Sequence, residues 1–400
     1  MRVLFLNSVF PGQFRALARA YGAAGHTVLF LAEGGQKNSV LPGVRRLRLA
    51  PPTPWTGSDV AERECVLLLR RGARAGNALL GLRKQGFVPD LVIAAAGMGG
   101  SFYVRDIFPT AFYVCYGDWF HTRESSGFFA RGGQRPAVDF APARVRNLWE
   151  YNALGDCNLA VTSSLWQREQ YPALVRQGIR VVHAGVNTRF FSPQRGDSDA
   201  GHELVTYCAP LHDPARGFAQ FSRCLPYLLA RRPNCLVVLA WPGTSQAQGA
   251  YAHSTPALVQ HMIPDLPAAQ RARVRLLGPC RPEDYRDALR HSTVHVYLAA
   301  PHVFSTGLLE AMACGTLVVA SDTPSVREVV RDGDNGFLCD FWDSDGMAQR
   351  LVRLLAASGS AASGFTRIRR QARQMVCEGY DAERQAVRFM DLVAAEMANR

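Results

Sequence analysis

The chain has 400 residues, 48% of them hydrophobic and 20% charged, which is the balance of a soluble globular protein of about two to three domains and excludes a disordered tail or a coiled coil. No apolar run approaches the roughly 18 residues that a membrane span needs. The net charge of +12 is carried by arginine, with Lys37 and Lys84 the only lysines; it fits a solvated basic surface or an anionic partner, and the lack of any RRM, KH or zinc-finger pattern argues against nucleic acid.

The opening residues turn polar after four apolar positions (Val3-Leu4-Phe5-Leu6-Asn7), so they read as a buried strand and not as a signal peptide. Phe14, Leu17, Ala18 and Tyr21 then recur at helical spacing, Gly22 and Gly25 end that helix, and residues 27–31 form a second strand. A helix containing residues 66–80 leads to a strand at 89–94 and the turn Gly97-Met98-Gly99-Gly100. A strand at 112–116 follows. Between 118 and 142 periodicity is lost and glycine, serine and arginine gather, which predicts a long functional loop. A second series begins near 204, with strands at 204–208, 235–240, 274–277, 294–298 and 316–320 separated by helical segments. Strands alternating with helices predict two parallel, doubly wound α/β domains with a ligand cleft between them at the carboxyl ends of both sheets. The expected division is 1–185, a linker at 186–201, 202–380, and a terminal helix at 381–400.

Chemistry concentrates between 300 and 340. After a strand, Phe304-Ser305-Thr306-Gly307 opens a helix reading Leu308-Leu309-Glu310-Ala311-Met312-Ala313. Ser305 or Thr306 is suited to cap it, Gly307 lets a ligand approach the backbone, and the free amides with the positive end of the helix dipole make a seat for phosphate. Glu310 lies a turn further in, where a carboxylate accepts hydrogen bonds from two vicinal hydroxyls such as those of a ribose. An ordinary capped helix with a solvated glutamate accounts for the same residues. Ten irregularly spaced cysteines give neither a disulfide framework nor a zinc site, no other metal-ligand spacing stands out, and a cytoplasmic protein is expected. Arg367, Arg369, Arg370 and Arg373 crowd one late helix, either as a solvated face or as a contact with an anionic membrane surface at the inner face.

The stretch 308–315, followed by Val318-Val319-Ala320-Ser321-Asp322 and by 327–336, resembles the nucleotide-sugar motif of family 4 glycosyltransferases, retaining enzymes of the GT-B fold. The likeness extends upstream through Trp166-Gln167-Arg168, His183-Ala184-Gly185-Val186-Asn187, Pro214-Ala215-Arg216-Gly217 and Phe10-Pro11-Gly12-Gln13-Phe14. The resemblance implies a nucleotide-sugar donor, a UDP- or GDP-sugar, and no cofactor or metal. Glu310 matches the second glutamate of the family's Glu-x7-Glu motif and would hold the donor ribose. Arg216 would neutralise the diphosphate with the Thr306, Gly307 and Leu308 segment, Gly12 would approach the phosphates from the first domain, and Arg281 belongs to the turn that reads the base. A guanidinium suits its role because its fork of donors fits phosphate oxygens.

Three positions depart from the pattern. His302 stands where the family has its first glutamate, Ala209-Pro210 replaces a Gly-Arg pair, and Ala95 stands where a histidine is common in the subgroup. His302 and His121 are the candidate catalytic residues, His302 being also readable as a structural histidine. The acceptor, a glycan, lipid-linked or protein hydroxyl, would enter around 97–100 and 119–123. The expected function is retaining glycosyl transfer in polysaccharide, glycolipid or protein glycosylation; the alternative is a catalytically degenerate GT-B protein that binds a glycan or a partner.

Overall fold

The computed structural model describes residues 1–35, 39–97, 99–122, 128, 140–194, 203–211, 213–242, 261–303, 305–358 and 364–399. The sequence expectations at Met98, Arg123 and Phe304, over most of the 118–142 stretch and over residues 195–201 of the expected linker fall outside them. The chain divides into two compact units, Met1–Gly185 with Ala382–Arg400, and Val186–Asp381.

The first unit is built on seven strands: β1 (Arg2–Val9), β2 (Thr27–Gly34), β3 (Val44–Arg48), β4 (Leu91–Ala95), β5 (Phe112–Tyr116), β6 (Leu159–Thr162) and β7 (Ile179–Val181). They form one parallel sheet in the order β3-β2-β1-β4-β5-β6-β7. Strand side chains alternate between two buried faces. Val3, Phe5, Phe30 and Ile93 join Phe14 and, from the Arg15–Ala23 helix, Leu17 and Tyr21 on one side. Leu4, Leu6, Leu31 and Val92 meet Leu79 of the Val60–Lys84 helix on the other. Covering both faces is what lets parallel strands read as unbroken apolar runs. The Ala382–Ala398 helix puts Ala386, Phe389 and Val393 into the first of these cores.

The second unit repeats the plan with β8 (Glu203–Tyr207), β9 (Cys235–Pro242), β10 (Val274–Cys280), β11 (Val294–Tyr297), β12 (Leu317–Ser321) and β13 (Phe337–Cys339). Its parallel order is β10-β9-β8-β11-β12-β13. Residues 186–191, expected as the start of a linker, belong to this unit. The Val186 amide donates to the Tyr380 carbonyl at 2.8 Å, and Val186 and Phe191 are buried in the core. In both units the chain winds outward in opposite directions from a central pair, β1/β4 and β8/β11. Loops leaving such a pair diverge and open a crevice at the carboxyl ends of the strands.

Candidate functional site

The second unit's switch point is built by the loops that leave β8 and β11. After β8, the Asp213 side chain accepts from the Ala215 amide at 2.9 Å and starts a short 3-10 turn, Pro214–Arg216. Gly217 ends the turn at φ +72°, where a Cβ would lie 2.8 Å from Leu298 Cβ and 2.9 Å from Phe341, so both backbone and space demand glycine. Tyr207 Oη donates to the Arg216 carbonyl at 2.6 Å, and the Ala300 amide donates to the Ala215 carbonyl at 2.8 Å, fastening this loop to the one after β11. Arg216 is thus fixed by its backbone, and its guanidinium leans on Asp213 at 3.5 Å.

On the β11 loop, His302 keeps solvent contact while protein atoms crowd its other sides. That crowding, and next the positive charge of Arg216, lower its pKa to about 4 against the opposing pull of Asp213. The imidazole is therefore neutral at neutral pH, and it faces the same arginine that the sequence assigns to the diphosphate.

The Thr306–Ala313 helix follows. Leu308, Leu309, Ala311, Met312 and Ala313 are fully buried, so Glu310 is a charged residue in an otherwise apolar helix, a placement that calls for partners. It has them. Tyr285 Oη, from the Pro282–His291 helix, donates to Glu310 Oε2 at 2.9 Å, and the Thr306 side chain also bonds the carboxyl. Burial raises the Glu310 pKa and these two hydrogen bonds pull it back. A carboxylate offers about four lone-pair directions, so two donors leave acceptor capacity for a diol.

Ser305 holds the N-cap position but its side chain makes no capping bond, while the Thr306 side chain is the one on Glu310. The Ser305 amide donates instead to Tyr297 Oη at 2.8 Å. The Leu308 amide turns back to the Ser305 carbonyl at 3.3 Å. The amides of Thr306 and Gly307 have no partner among the described residues, which leaves the positive end of the helix open to an anion. Tyr285 and Tyr297, which set this geometry, carry no mark in the sequence beyond their place near a strand end.

Other expected residues stand apart from this group. Arg281 caps the Pro282–His291 helix beyond β10, the edge strand, with its side chain 72% exposed and both forks on Asp284 at 2.8 Å. Gly278, just before it, takes φ +59° at a bulge in β10. Gly12 and His121 belong to the first unit. Gly12 has φ +49°, and a Cβ there would meet Asn7 Nδ2 at 2.6 Å. The His121 backbone is clamped at both ends by buried Asn147, whose Oδ1 accepts its amide at 2.8 Å while Nδ2 donates to its carbonyl at 2.9 Å. Among the described residues no group of three or more His, Cys, Asp or Glu is placed to hold a metal ion, and no helix is long and apolar enough to cross a membrane.

Comparison with known proteins bears on the whole chain. A model described as Glycosyl transferase family 4 group matches residues 24–191, and one described as Glycosyl transferases group 1 matches residues 202–357. A phosphatidyl-myo-inositol mannosyltransferase of Mycolicibacterium smegmatis is 30% identical over 199 residues, 48% of this chain and 47% of that protein. A D-inositol 3-phosphate glycosyltransferase of Acidothermus cellulolyticus is 30% identical over 192 residues, 44% and 40% of the two chains. The match thus spans about half or less of these relatives. Among solved structures, sucrose-phosphate synthase from Thermosynechococcus elongatus superposes with a TM-score of 0.75 at 20% identity over 100% of both chains. Anabaena Alr3699/HepE in complex with UDP-glucose gives 0.70 at 16% identity over 99% and 100%. With two family models in series along most of its length, and the doubly wound units of the GT-B fold, this chain belongs to the group 1, family 4 glycosyltransferases.

Proposed function

We propose that the chain transfers a glycosyl group from a nucleotide sugar to an acceptor hydroxyl, with retention at the anomeric carbon. The observation that carries this reading is the Glu310 carboxylate, set in a buried helix by Tyr285 and Thr306 beside open amides and the Arg216 loop. Glu310 accepts hydrogen bonds from the two ribose hydroxyls of the donor. Arg216 and the Thr306, Gly307 and Leu308 segment take the diphosphate, whose departure they stabilise as its negative charge grows. The family resemblance assigns Gly12 to the turn that approaches the phosphates and Arg281 to the turn that reads the base. Neutral His302 adds no charge against the diphosphate and orients the transferred sugar. The departing diphosphate takes the proton of the incoming hydroxyl.

The relatives named for mannosyl and inositol-linked glycosyl transfer and the fold neighbour bound to UDP-glucose support a UDP- or GDP-sugar donor. The test is a screen of UDP-glucose, UDP-N-acetylglucosamine and GDP-mannose for slow release of nucleoside diphosphate. One of these donors is turned over, and Arg216→Ala lowers that rate by roughly tenfold to a hundredfold through loss of a charge-assisted contact. A chain inert toward every nucleotide sugar would instead be a degenerate binding protein.

A further inference from the structure

The loop after β5 is held with unusual thoroughness. The Gly117 carbonyl accepts from Gln167 Nε2 at 2.9 Å, and the same amide reaches the Asp118 carbonyl. Asn147 clamps the His121 backbone on both sides. The carboxyl of Glu150, only 1% exposed, faces the Asp118 and Trp119 amides and accepts Tyr171 Oη at 2.9 Å. Gly117 packs so closely on Tyr171 that a Cβ would sit 2.4 Å from its hydroxyl, and a Cβ on Gly97 would sit 2.7 Å from Glu150 Oε1. Trp119 and Phe120 are buried as apolar anchors.

Asn147, Glu150, Gln167 and Tyr171 are themselves buried, and burying so many polar side chains is costly unless hydrogen bonds compensate; here those bonds run to the Gly117–His121 backbone and between Tyr171 and Glu150. What they hold is Asp118. Its side chain is exposed, has no hydrogen-bonding or ionic partner among the described residues, and stands at the carboxyl end of β5, next to the β1/β4 switch point. Positioning of this kind is how a rigid scaffold presents one functional group.

We infer that Asp118 is the residue that receives the acceptor: its carboxylate takes a hydrogen bond from the attacking hydroxyl and orients that oxygen, while Glu150, Asn147, Gln167 and Tyr171 act as positioning residues. The inference rests on the glycosyl-transfer reading and deepens it. The hydroxyl oxygen forms the new bond to the anomeric carbon. The bond from that carbon to the diphosphate breaks with its electron pair on the leaving group, which also collects the hydroxyl proton. The ligand class is a polyol or sugar hydroxyl.

Asp118 keeps solvent contact while protein atoms crowd the other sides of its carboxyl, and that crowding raises its pKa from the usual aspartate value; the titratable groups that sense Asp118 are Tyr116, Glu150 and Tyr171. Turnover therefore falls on the acid side through a pKa higher than that of a free aspartate.

The experiment measures nucleoside diphosphate release from UDP-glucose and GDP-mannose, with water alone and with glycerol as the hydroxyl source. It compares wild type, Asp118→Asn and Asp118→Ser, and titrates UDP and GDP against each. Expected is a loss of about a hundredfold in turnover in both variants, unchanged nucleotide affinity, and disappearance of the acid limb in Asp118→Asn. Wild-type turnover matched by folded Asp118→Asn or Asp118→Ser overturns this inference alone. A wild type that binds donor but releases nothing with water or glycerol overturns it as well, and a wild type that binds no nucleotide brings down the glycosyl-transfer reading beneath it.

Discussion

Glu150 and Glu310 are both carboxyl groups in dense protein surroundings, but their partners set them apart. Desolvation, followed by the charge of Asp118, pushes Glu150 up to about 8, so it stays neutral where an ordinary glutamate is ionised. The unfolded chain loses that proton near pH 4.5 and the folded one only near pH 8. The folded state therefore binds more protons between these values, and stability is full below the lower one and falls as pH rises toward the upper, at about 1.4 kcal/mol per pH unit for this group. Denaturant unfolding followed from pH 5 to pH 8 shows this decline in the wild type, and Glu150→Gln flattens it; equal slopes would exclude Glu150 as its source. Glu310 has the opposite need on the proposed donor-binding role, which asks for a carboxylate, and the hydrogen bonds from Tyr285 and Thr306 work against the rise that burial causes. Tyr285→Phe is expected to weaken nucleotide binding by roughly threefold to tenfold, one hydrogen bond's worth. At Gly217, alanine meets both a left-handed backbone and the atoms of Leu298 and Phe341. Gly217→Ala should cost about 1–3 kcal/mol of stability and displace Arg216 with it, as thermal unfolding with and without nucleotide would show.

Among the elements, those with a single physical signature were legible in the sequence. The buried strands at 3–7, 27–31 and 112–116 coincide with β1, β2 and β5 to within a few residues, because parallel strands covered on both faces are continuous apolar runs. The Thr306–Ala313 helix was legible for a different reason, its Ser-Thr-Gly entry and apolar body. The Ala141–Asp156 helix is not among the predicted elements, and only its first two residues overlap the loop expected over 118–142. Its buried face includes Asn147 and Glu150, so the apolar periodicity that marks a helix is interrupted by the residues that hold the Gly117–His121 backbone. β3 escaped because it is an edge strand, Val44-Arg45-Arg46-Leu47-Arg48, whose charges suit a sheet margin and hide its pattern. In the candidate site the same division holds. Glu310 and Arg216 were legible from their motifs, whereas Tyr285, Tyr297 and the Asp118 loop depend on pairings between distant segments that no local spacing encodes.

At the scale of the whole molecule, the chain returns at its end to the unit in which it began. Phe389 of the Ala382–Ala398 helix is buried in the first core and packs near Tyr116, with ring centroids 6.4 Å apart. Phe389→Ala is expected to destabilise the first unit by about 3–5 kcal/mol, seen as early unfolding of that unit in hydrogen exchange while the second unit keeps its protection. The arginine-rich charge of +12 is in keeping with a protein that meets anionic diphosphates, since a basic surface raises the local concentration of such ligands. The central claim, that the second unit holds a nucleoside diphosphate through Glu310 at the open end of the Thr306–Ala313 helix, is tested most directly by calorimetric titration of UDP and GDP into the wild type and Glu310→Ala. Saturable binding of one nucleotide, weakened roughly tenfold or more by the substitution, is the predicted result. Binding of equal strength in both proteins, or none in the wild type, would contradict it.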